Sequence, residues 1–409
     1  MVHGVGGANA QEVLAGLKVM TDGLEMIGPD DLRARLALAQ AMMRAQGIAA
    51  LYLDATVNQR YFTGLNIGAS ERLHGALLPA AGDLVYLSPA FEGPKTETML
   101  KLPGRIALWQ EHEDPGALVV AELARAGIAS GRVAVDPQTP FFTLDAMQKA
   151  GPALEFVNGA GVTAACRSLK SEREIALMQR ASDMAILVHK SAASILYEGI
   201  STTEVQEFIL AAYGRLGGDV TGSGLPIVLF GEATAYPHGV DYPQTLKDGD
   251  MVLVDTGCKL DGYRSDITRT YVFGTGTARQ REVWNLERTA QLAGFDAARL
   301  GAACENVDHA ARAVIEAASG FASDYGVPGL PHRTGHGIGL DMHEDSYMVR
   351  GNLRPLEVGM CFSVEPMICI YGEFGIRLED CAYMTDAGAR WFTEPAHSFD
   401  DPFGITAGR

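Results

Sequence analysis

The chain has 409 residues, of which 47% are hydrophobic and 20% are charged, and its formal net charge is −17. This length indicates two or three domains with sizeable cores, and the composition excludes a disordered chain, a disulfide-stapled mini-protein and a coiled coil. Nucleic acid and anionic membranes would repel so acidic a surface, so neither is an expected partner.

Cysteine usage and the N-terminus indicate the compartment. The six cysteines contain no Cys-x-x-Cys pair, so a structural zinc site is not expected, whereas buried reduced thiols are. The first 20 residues lack a basic segment followed by an apolar run, unlike a signal peptide. No run of 18 apolar residues occurs. We therefore expect a cytoplasmic protein without a membrane-spanning helix.

Predicted strands and helices alternate in the first part of the chain. Apolar residues at helical spacing predict a helix over Asp30–Gln46, which begins at a Pro-Asp-Asp cap signal and ends before Gly47. A strand over residues 48–53 follows, and later apolar runs alternate with helices at 117–127 and about 144–150. This alternation is typical of an α/β layer domain. The glycine-rich motifs of nucleotide-binding loops are absent from it.

Helices and pairs of strands alternate twice in the second part. The domain boundary is expected near residues 166–170, before a capping box, Ser171–Glu174, that begins a helix running to about Leu196. The further predicted elements are a helix from Thr202 or Thr203 to about Tyr213, strands at 227–230, 250–257 and 265–274, helices at about 278–300 and 305–318, and strands at 360–370 and 375–385. The sequence thus predicts an α/β (α+β) protein with domains over residues 1–165 and 166–409.

A predicted hairpin carries two aspartates. Two strand-like runs flank Asp261-Gly262, which is a strong hairpin-turn signal, and Asp261 is expected to be only a turn residue. Folding at this turn is expected to bring Asp255 and Asp266 close to opposite each other. Opposed side chains on one face have Cβ atoms about 4.5–5.5 Å apart, and two like charges that close are costly without a cation between them. The alternative is a solvated hairpin with incidental acids.

Histidines and glutamates form two further clusters. His332, His336 and His343 lie in one glycine-rich segment, where the backbone can approach a ligand closely. Glu365 and Glu379 each lie in an apolar strand, where an ionised carboxylate needs a partner. For Glu379 the alternative is a structural pair with Arg377, on the same strand face. Four carboxylates and one imidazole suit two divalent cations, with manganese, iron or cobalt favoured and zinc as an alternative.

These residues and motifs resemble those of a known family. The order and spacing of Asp255, Asp266, His336, Glu365 and Glu379 match the metal ligands of the pita-bread metallopeptidases, which include prolidase, aminopeptidase P and methionine aminopeptidase. The surrounding VDTG, TGHGIG and GIRLED motifs agree, and NQRYFTG resembles the N-terminal domain of prolidase and creatinase. The resemblance implies a creatinase-like α/β domain over residues 1–165 and a pita-bread catalytic domain over residues 166–409.

The resemblance also implies roles for individual residues. The five ligands would hold two divalent ions, manganese first, with cobalt, zinc or iron as alternatives. Glu365 would also transfer protons, and His343 would stabilise the oxyanion. His238 matches a catalytic-site histidine that precedes the metal hairpin. His332 and Arg377 would bind the proline side of the substrate, with the arginine meeting its carboxylate.

The implied activity is hydrolysis of the Xaa-Pro bond in dipeptides by a metal-bridging hydroxide, in a homodimer or larger homo-oligomer. An aminopeptidase P acting on longer peptides is the alternative, although a chain near 400 residues favours the dipeptidase. Other relatives act on small solutes, as ectoine hydrolases and dimethylsulfoniopropionate lyases do, but Gly257 stands where the lyases carry an additional acid. Creatinase and histone-binding relatives lack the complete ligand set, which is intact here.

Overall fold

The structure is a computed structural model that describes residues 4–222 and 225–405. The chain forms two compact units. One unit consists of residues 27–167, and the other combines the described residues of 1–26 with those of 168–409. Within the described residues no helix is long and apolar enough to cross a membrane. All six cysteines are free and buried.

The division of the chain differs from the expected one in its first 26 residues, which belong to the second unit. Backbone hydrogen bonds explain this grouping. The amide of Gly6 donates to the carbonyl of Ala193 at 2.8 Å, and that of Met20 donates to Leu216 at 2.9 Å. The short helix α1 (Ala10–Gly16) lies between these two contacts. The other boundary falls after residue 167, two residues from the expected position.

The unit of residues 27–167 is built on a six-stranded sheet with the order β4-β3-β2-β1-β5-β6. Its elements are α2 (Pro29–Gln46), β1 (Ile48–Asp54), α3 (Val57–Thr63), β2 (Gly75–Pro79), β3 (Val85–Pro89), α4 (Gly93–Met99), β4 (Arg105–Trp109), α5 (Pro115–Arg125), β5 (Gly131–Val135), α6 (Phe141–Ala150), β6 (Leu154–Asn158) and α7 (Ala160–Ser168). Apolar residues of β1, β2, β3 and β5 pack against α5 and α6. The α/β layer and helix α2 are confirmed, and Gly47 ends α2 in the left-handed conformation, at φ 65°.

The second unit places helices against several small sheets. Its further elements are α8 (Glu172–Ser194), α9 (Thr202–Leu216), β7 (Ile227–Phe230), β8 (Met251–Thr256), β9 (Lys259–Leu260), β10 (Tyr263–Arg264), β11 (Ile267–Val272), α10 (Ala278–Ala297), α11 (Glu305–Glu316), β12 (Gly335–Gly337), β13 (Glu344–Met348), β14 (Cys361–Val364), β15 (Met367–Ile370), β16 (Phe374–Arg377), β17 (Asp380–Thr385) and β18 (Gly388–Trp391). The larger sheets have the orders β11-β8-β7 and β13-β12-β14-β17-β18. The predicted capping box at Ser171 and Glu174 begins α8.

The predicted aspartate hairpin is two consecutive strand pairs. Strands β9 and β10 meet at the Asp261-Gly262 turn, where both residues have positive φ, 46° and 90°, as a two-residue hairpin turn of this type requires. Strands β8 and β11 pair below it, and Asp255 lies opposite Thr268. Asp266 precedes β11, so the two aspartates are offset rather than directly opposed.

Candidate metal centre

The five predicted ligands come from the ends of neighbouring strands in the second unit. Asp255 lies near the end of β8, and Asp266 directly precedes β11; the other three lie in β12, directly after β14 and directly before β17: His336, Glu365 and Glu379. The backbones of Thr268 and Glu379 exchange hydrogen bonds of 3.1 and 3.3 Å, which join the two larger sheets at this point. The strand ends therefore direct all five side chains to one place.

The imidazole of His336 lies at the centre of the group. Its Nε2 is 3.2 Å from Glu365 Oε1, 3.7 Å from Asp266 Oδ2 and 4.0 Å from Glu379 Oε1. Its Nδ1 bonds the carbonyl of Gly337 at 3.0 Å, and because a carbonyl only accepts, Nδ1 carries the proton. Burial lowers the pKa of His336 to about 4, so the ring is neutral at pH 7. The unprotonated Nε2 thus faces carboxylate oxygens, an arrangement of acceptors that a cation satisfies.

The buried carboxylates also require a nearby cation. Ligand atoms of Asp266, His336 and Glu379 all lie within 4.8 Å of one another. Burial first, and then repulsion by the neighbouring carboxylates, raises the pKa of Asp266 and of Glu379 well above the ordinary range. Glu379 Oε1 is buried and has no hydrogen-bond partner among the described residues. An unpartnered buried carboxylate oxygen is costly, so these residues fit a bound metal.

Side-chain hydrogen bonds hold the carboxylates in place. Thr268 Oγ1 donates to Glu379 Oε2 at 2.6 Å, and Ser363 Oγ donates to Glu365 Oε1 at 3.2 Å. Each bond leaves the other oxygen of its carboxylate available. Neither Thr268 nor Ser363 is predicted as a site residue, since a strand hydroxyl gives no sequence signal for such a role.

Arg377 is buried and engaged with the protein, which argues against its predicted role as receptor of a substrate carboxylate. Its Nη2 donates to Asp255 Oδ2 at 2.6 Å, its Nη1 to the carbonyl of Pro237 at 2.9 Å and its Nε to Thr268 Oγ1 at 3.1 Å. Its side chain is 5% exposed. A guanidinium held in three directions is fixed against Asp255, which it positions. The alternative of a structural pair with Glu379 is wrong, since the carboxylate partner of Arg377 is Asp255.

The three other predicted histidines line a cavity of about 690 Å³ above the carboxylates: His238, His332 and His343. The ring of His343 stands edge-on to that of His336, with centroids 4.4 Å apart and an interplanar angle of 83°. Desolvation, followed by the neighbouring His336, lowers the pKa of His343 to about 4. His332 bonds the carbonyl of Arg333 through Nδ1 at 2.7 Å, and burial lowers its pKa. Both rings are therefore neutral near pH 7.

A buried ion pair on α11 holds the start of the histidine segment. Arg312 and Asp308 are 3.2 Å apart, one helical turn from each other. Arg312 Nη2 donates to the carbonyl of His332 at 2.8 Å, while Thr334 Oγ1 donates to Asp308 at 2.8 Å. The i, i+4 spacing of this pair is visible in the sequence, but it is equally typical of exposed helix faces.

A second buried ion pair holds the end of the segment. Lys170 Nζ lies 2.9 Å from Glu344 Oε2, and both side chains are nearly inaccessible, at 2% and 5% exposure. Glu344 directly follows His343, and its other oxygen accepts the amide of Asp341 at 3.1 Å. The pair therefore fixes the backbone on both sides of His343.

Replacing Lys170 by methionine is expected to destabilise this unit by about 3–5 kcal/mol, because the carboxylate of Glu344 would stay buried without its cation. Urea unfolding of the purified variant measures the change. The double variant Lys170→Met, Glu344→Gln removes both charges and should recover most of the loss. If the double variant is no more stable than Lys170→Met, the unpaired carboxylate of Glu344 is not the cause of the lost stability.

The fold and site are those of a metallopeptidase. The family model described as metallopeptidase family M24 matches residues 176–386, and the creatinase/prolidase N-terminal domain model matches residues 35–169. The chain belongs to this family of pita-bread metallopeptidases, as the sequence motifs predicted.

Relatives are similar along most of their length. The chain is 35% identical over 363 residues to the "probable dipeptidase PepE" of Mycobacterium tuberculosis, covering 87% of this chain and 92% of that protein. It is 29% identical over 358 residues to a Xaa-Pro dipeptidase of Lactobacillus delbrueckii, covering 87% and 95%. The solved dipeptidase PepE of Mycobacterium ulcerans is 32% identical, with a TM-score of 0.83 and coverage of 92% and 99%.

Proposed function

We propose that this protein is a dinuclear-metal-dependent Xaa-Pro dipeptidase. The observation that carries the proposal is the buried group of carboxylates around an unprotonated His336 Nε2, at the base of a cavity large enough for a short peptide. The names of two relatives, a probable dipeptidase and a Xaa-Pro dipeptidase, support the substrate class.

The metal ions would be held by Asp255, Asp266, His336, Glu365 and Glu379. This oxygen-rich set favours manganese, with cobalt, iron or zinc as alternatives. Two such ions would supply an acidified water as the nucleophile and would polarise the scissile carbonyl. Arg377 keeps Asp255 oriented, and Thr268 does the same for Glu379.

The protein side chains would supply proton transfer and charge stabilisation. Glu365, fixed by Ser363, would take the proton of the attacking water and pass it to the leaving nitrogen, which is a poor leaving group without it. His343 is neutral near pH 7 and would donate a ring N–H to the oxygen on which charge develops. His238 and His332, which line the same cavity, would confine the substrate.

One wall of the cavity is apolar and would receive the first residue of the substrate. Its members are Leu210, Val220, Leu225, Pro226 and Ile227. Ile227 lies directly opposite Asp255 in the pairing of β7 with β8, so this wall adjoins the metal ligands. We therefore expect an apolar first residue, as in Leu-Pro, to be preferred to glycine. The cytoplasmic location and the homo-oligomeric state remain predictions.

Hydrolysis of Leu-Pro tests the proposal. Purified protein with added Mn²⁺ is expected to release leucine and proline, to stop in chelator and to resume when Mn²⁺ is restored, as a metal-dependent reaction requires. Gly-Pro and the tripeptide Leu-Pro-Gly serve as comparisons measured in parallel. Turnover of the tripeptide with none of the dipeptide would favour aminopeptidase P, and undiminished turnover in metal-stripped protein would contradict the metal mechanism.

A further inference from the structure

Two arginines line the cavity above the carboxylates, Arg333 and Arg377. They differ in the hydrogen-bond acceptors that the protein provides for their guanidinium groups. Arg377 is held by three oxygen acceptors, one of them a carboxylate. The guanidinium of Arg333 has no hydrogen bond or ion pair with any other part of the chain that the structure describes. Among the described residues, the cavity therefore presents one arginine whose N–H groups have no protein acceptor.

The position of Arg333 is nevertheless defined. Its Cζ lies 4.3 Å from the centroid of the Tyr347 ring, a cation–π contact that leaves the N–H groups of the guanidinium available. Its backbone carbonyl bonds His332 Nδ1 at 2.7 Å, which anchors the main chain beside it. Such a planar, preorganised fork with free donors matches a carboxylate in two parallel hydrogen bonds.

The charges of the cavity match a dipeptide zwitterion. Carboxylates form its base, the apolar wall adjoins Asp255 on one side, and Arg333 lies on the separate segment that carries His332 and His343. A dipeptide whose first side chain packs on the apolar wall, with its scissile bond above the carboxylates, directs its C-terminal end toward that segment. In a dipeptide this end is a carboxylate one residue beyond the scissile bond, whereas in a longer peptide the same position is a neutral amide.

We propose that Arg333, stacked on Tyr347, binds the C-terminal carboxylate of the substrate and thereby selects dipeptides over longer peptides. This inference rests on the proposed dipeptidase function and gives Arg333 the role that the sequence suggested for Arg377. Arg333 is a specificity residue: its contact is made by the dipeptide and is lost when that carboxylate is capped.

The test compares Leu-Pro with Leu-Pro-amide, which differ only in the C-terminal charge. In the Mn²⁺-loaded wild-type protein, kcat/KM for Leu-Pro should exceed that for the amide by about 10- to 150-fold, the range for a charged hydrogen-bond partner. In Arg333→Met this ratio should fall to about 1, through loss of activity on Leu-Pro, while the rate on the amide changes little. Arg333→Lys keeps the charge without the fork and should give an intermediate ratio.

Two further variants distinguish loss of the contact with the substrate carboxylate from a general effect of substitution on the cavity. Arg350→Met is the matched control, since Arg350 lies on the same segment but is exposed and paired with Asp324 at 2.7 Å, and it should leave the ratio at the wild-type value. Tyr347→Leu removes the stacking platform and should lower the ratio while Arg333 is intact. The melting temperature of each variant shows whether it is folded. Folding is expected for Arg333→Met, because the ring of Tyr347 is the one contact of that guanidinium among the described residues.

The outcomes distinguish a failure of the proposed role of Arg333 from a failure of the proposed dipeptidase function. An unchanged ratio in folded Arg333→Met overturns the role of Arg333, even though hydrolysis of Leu-Pro by the wild type still supports the dipeptidase. A wild-type ratio near 1 overturns selection through the carboxylate altogether. No hydrolysis of Leu-Pro by metal-loaded wild type overturns the proposed function itself.

Discussion

Replacing Glu379 by glutamine is expected to remove bound metal and to lower kcat/KM for Leu-Pro by at least about 10²–10³-fold, since a Lewis acid in the transition state is worth several kcal/mol. Glutamine keeps the size of the side chain and its acceptor for Thr268 Oγ1, which bonds Glu379 at 2.6 Å. It loses the anionic oxygen that now lies buried without a hydrogen-bond partner in the described structure. Metal content per chain, measured by elemental analysis, and the rate of Leu-Pro hydrolysis check both parts.

The same substitution should stabilise the metal-free protein at neutral pH. Burial, and then repulsion by Asp266, raises the pKa of Glu379 well above its ordinary value of 4.5. The native state then binds more protons than the unfolded state, so stability in chelator falls as pH rises from the unfolded pKa toward the folded one. Glutamine does not titrate, so Glu379→Gln should lose less stability than wild type as the pH rises above the ordinary glutamate pKa of 4.5. Urea unfolding in chelator measures this difference.

Glu373→Gln is the matched control for this experiment. Glu373 is an exposed acid near the same strands, paired with Arg279 at 2.5 Å, and the variant should keep its metal and activity. A Glu379→Gln protein that retains full metal content would remove Glu379 from the ligand set. A metal-free variant less stable than wild type at neutral pH would show that the cost of the buried charge has been misjudged.

The parts of the site that the sequence predicted are those fixed by local chemistry. The Asp261-Gly262 turn requires positive φ at both residues, so the hairpin between the two aspartates could be read directly. Four of the predicted ligands lie within one residue of a strand end, and the fifth, His336, lies in the three-residue strand β12. The spacing of apolar residues along the chain also predicted the α/β layer of residues 27–167 and the helices of the second unit.

The parts that the sequence did not predict depend on contacts between distant segments. Arg377 shares a strand face with Glu379, yet its partner is Asp255, 122 positions away. Lys170 and Glu344 form a buried pair across 174 positions. Spacing along the chain carries no information about such partners.

His343→Ala is expected to lower kcat for Leu-Pro by about 10²–10³-fold with a smaller change in KM, the pattern of a donor that acts mainly in the transition state. His343 stands edge-on to His336 at 4.4 Å and lines the cavity, so its ring reaches the space above the ligands without being held as one of them. Steady-state kinetics with Mn²⁺, together with metal analysis, should show a full complement of metal in the variant. His343→Asn retains an N–H donor and should recover part of kcat.

The pH profile checks that His343 acts in its neutral form. The pKa of His343 is lowered to about 4, so its donor is present throughout the neutral range, and wild-type kcat should show no titration by this ring between about pH 5 and pH 8. His309→Ala is the control, since His309 is exposed on α11, 4.0 Å from Glu305, and the change should leave kcat as it is. A rise in KM with kcat unchanged in His343→Ala would make this histidine part of the pocket wall. Loss of metal from that variant would instead place it among the ligands, so kcat, KM and metal content together assign its role.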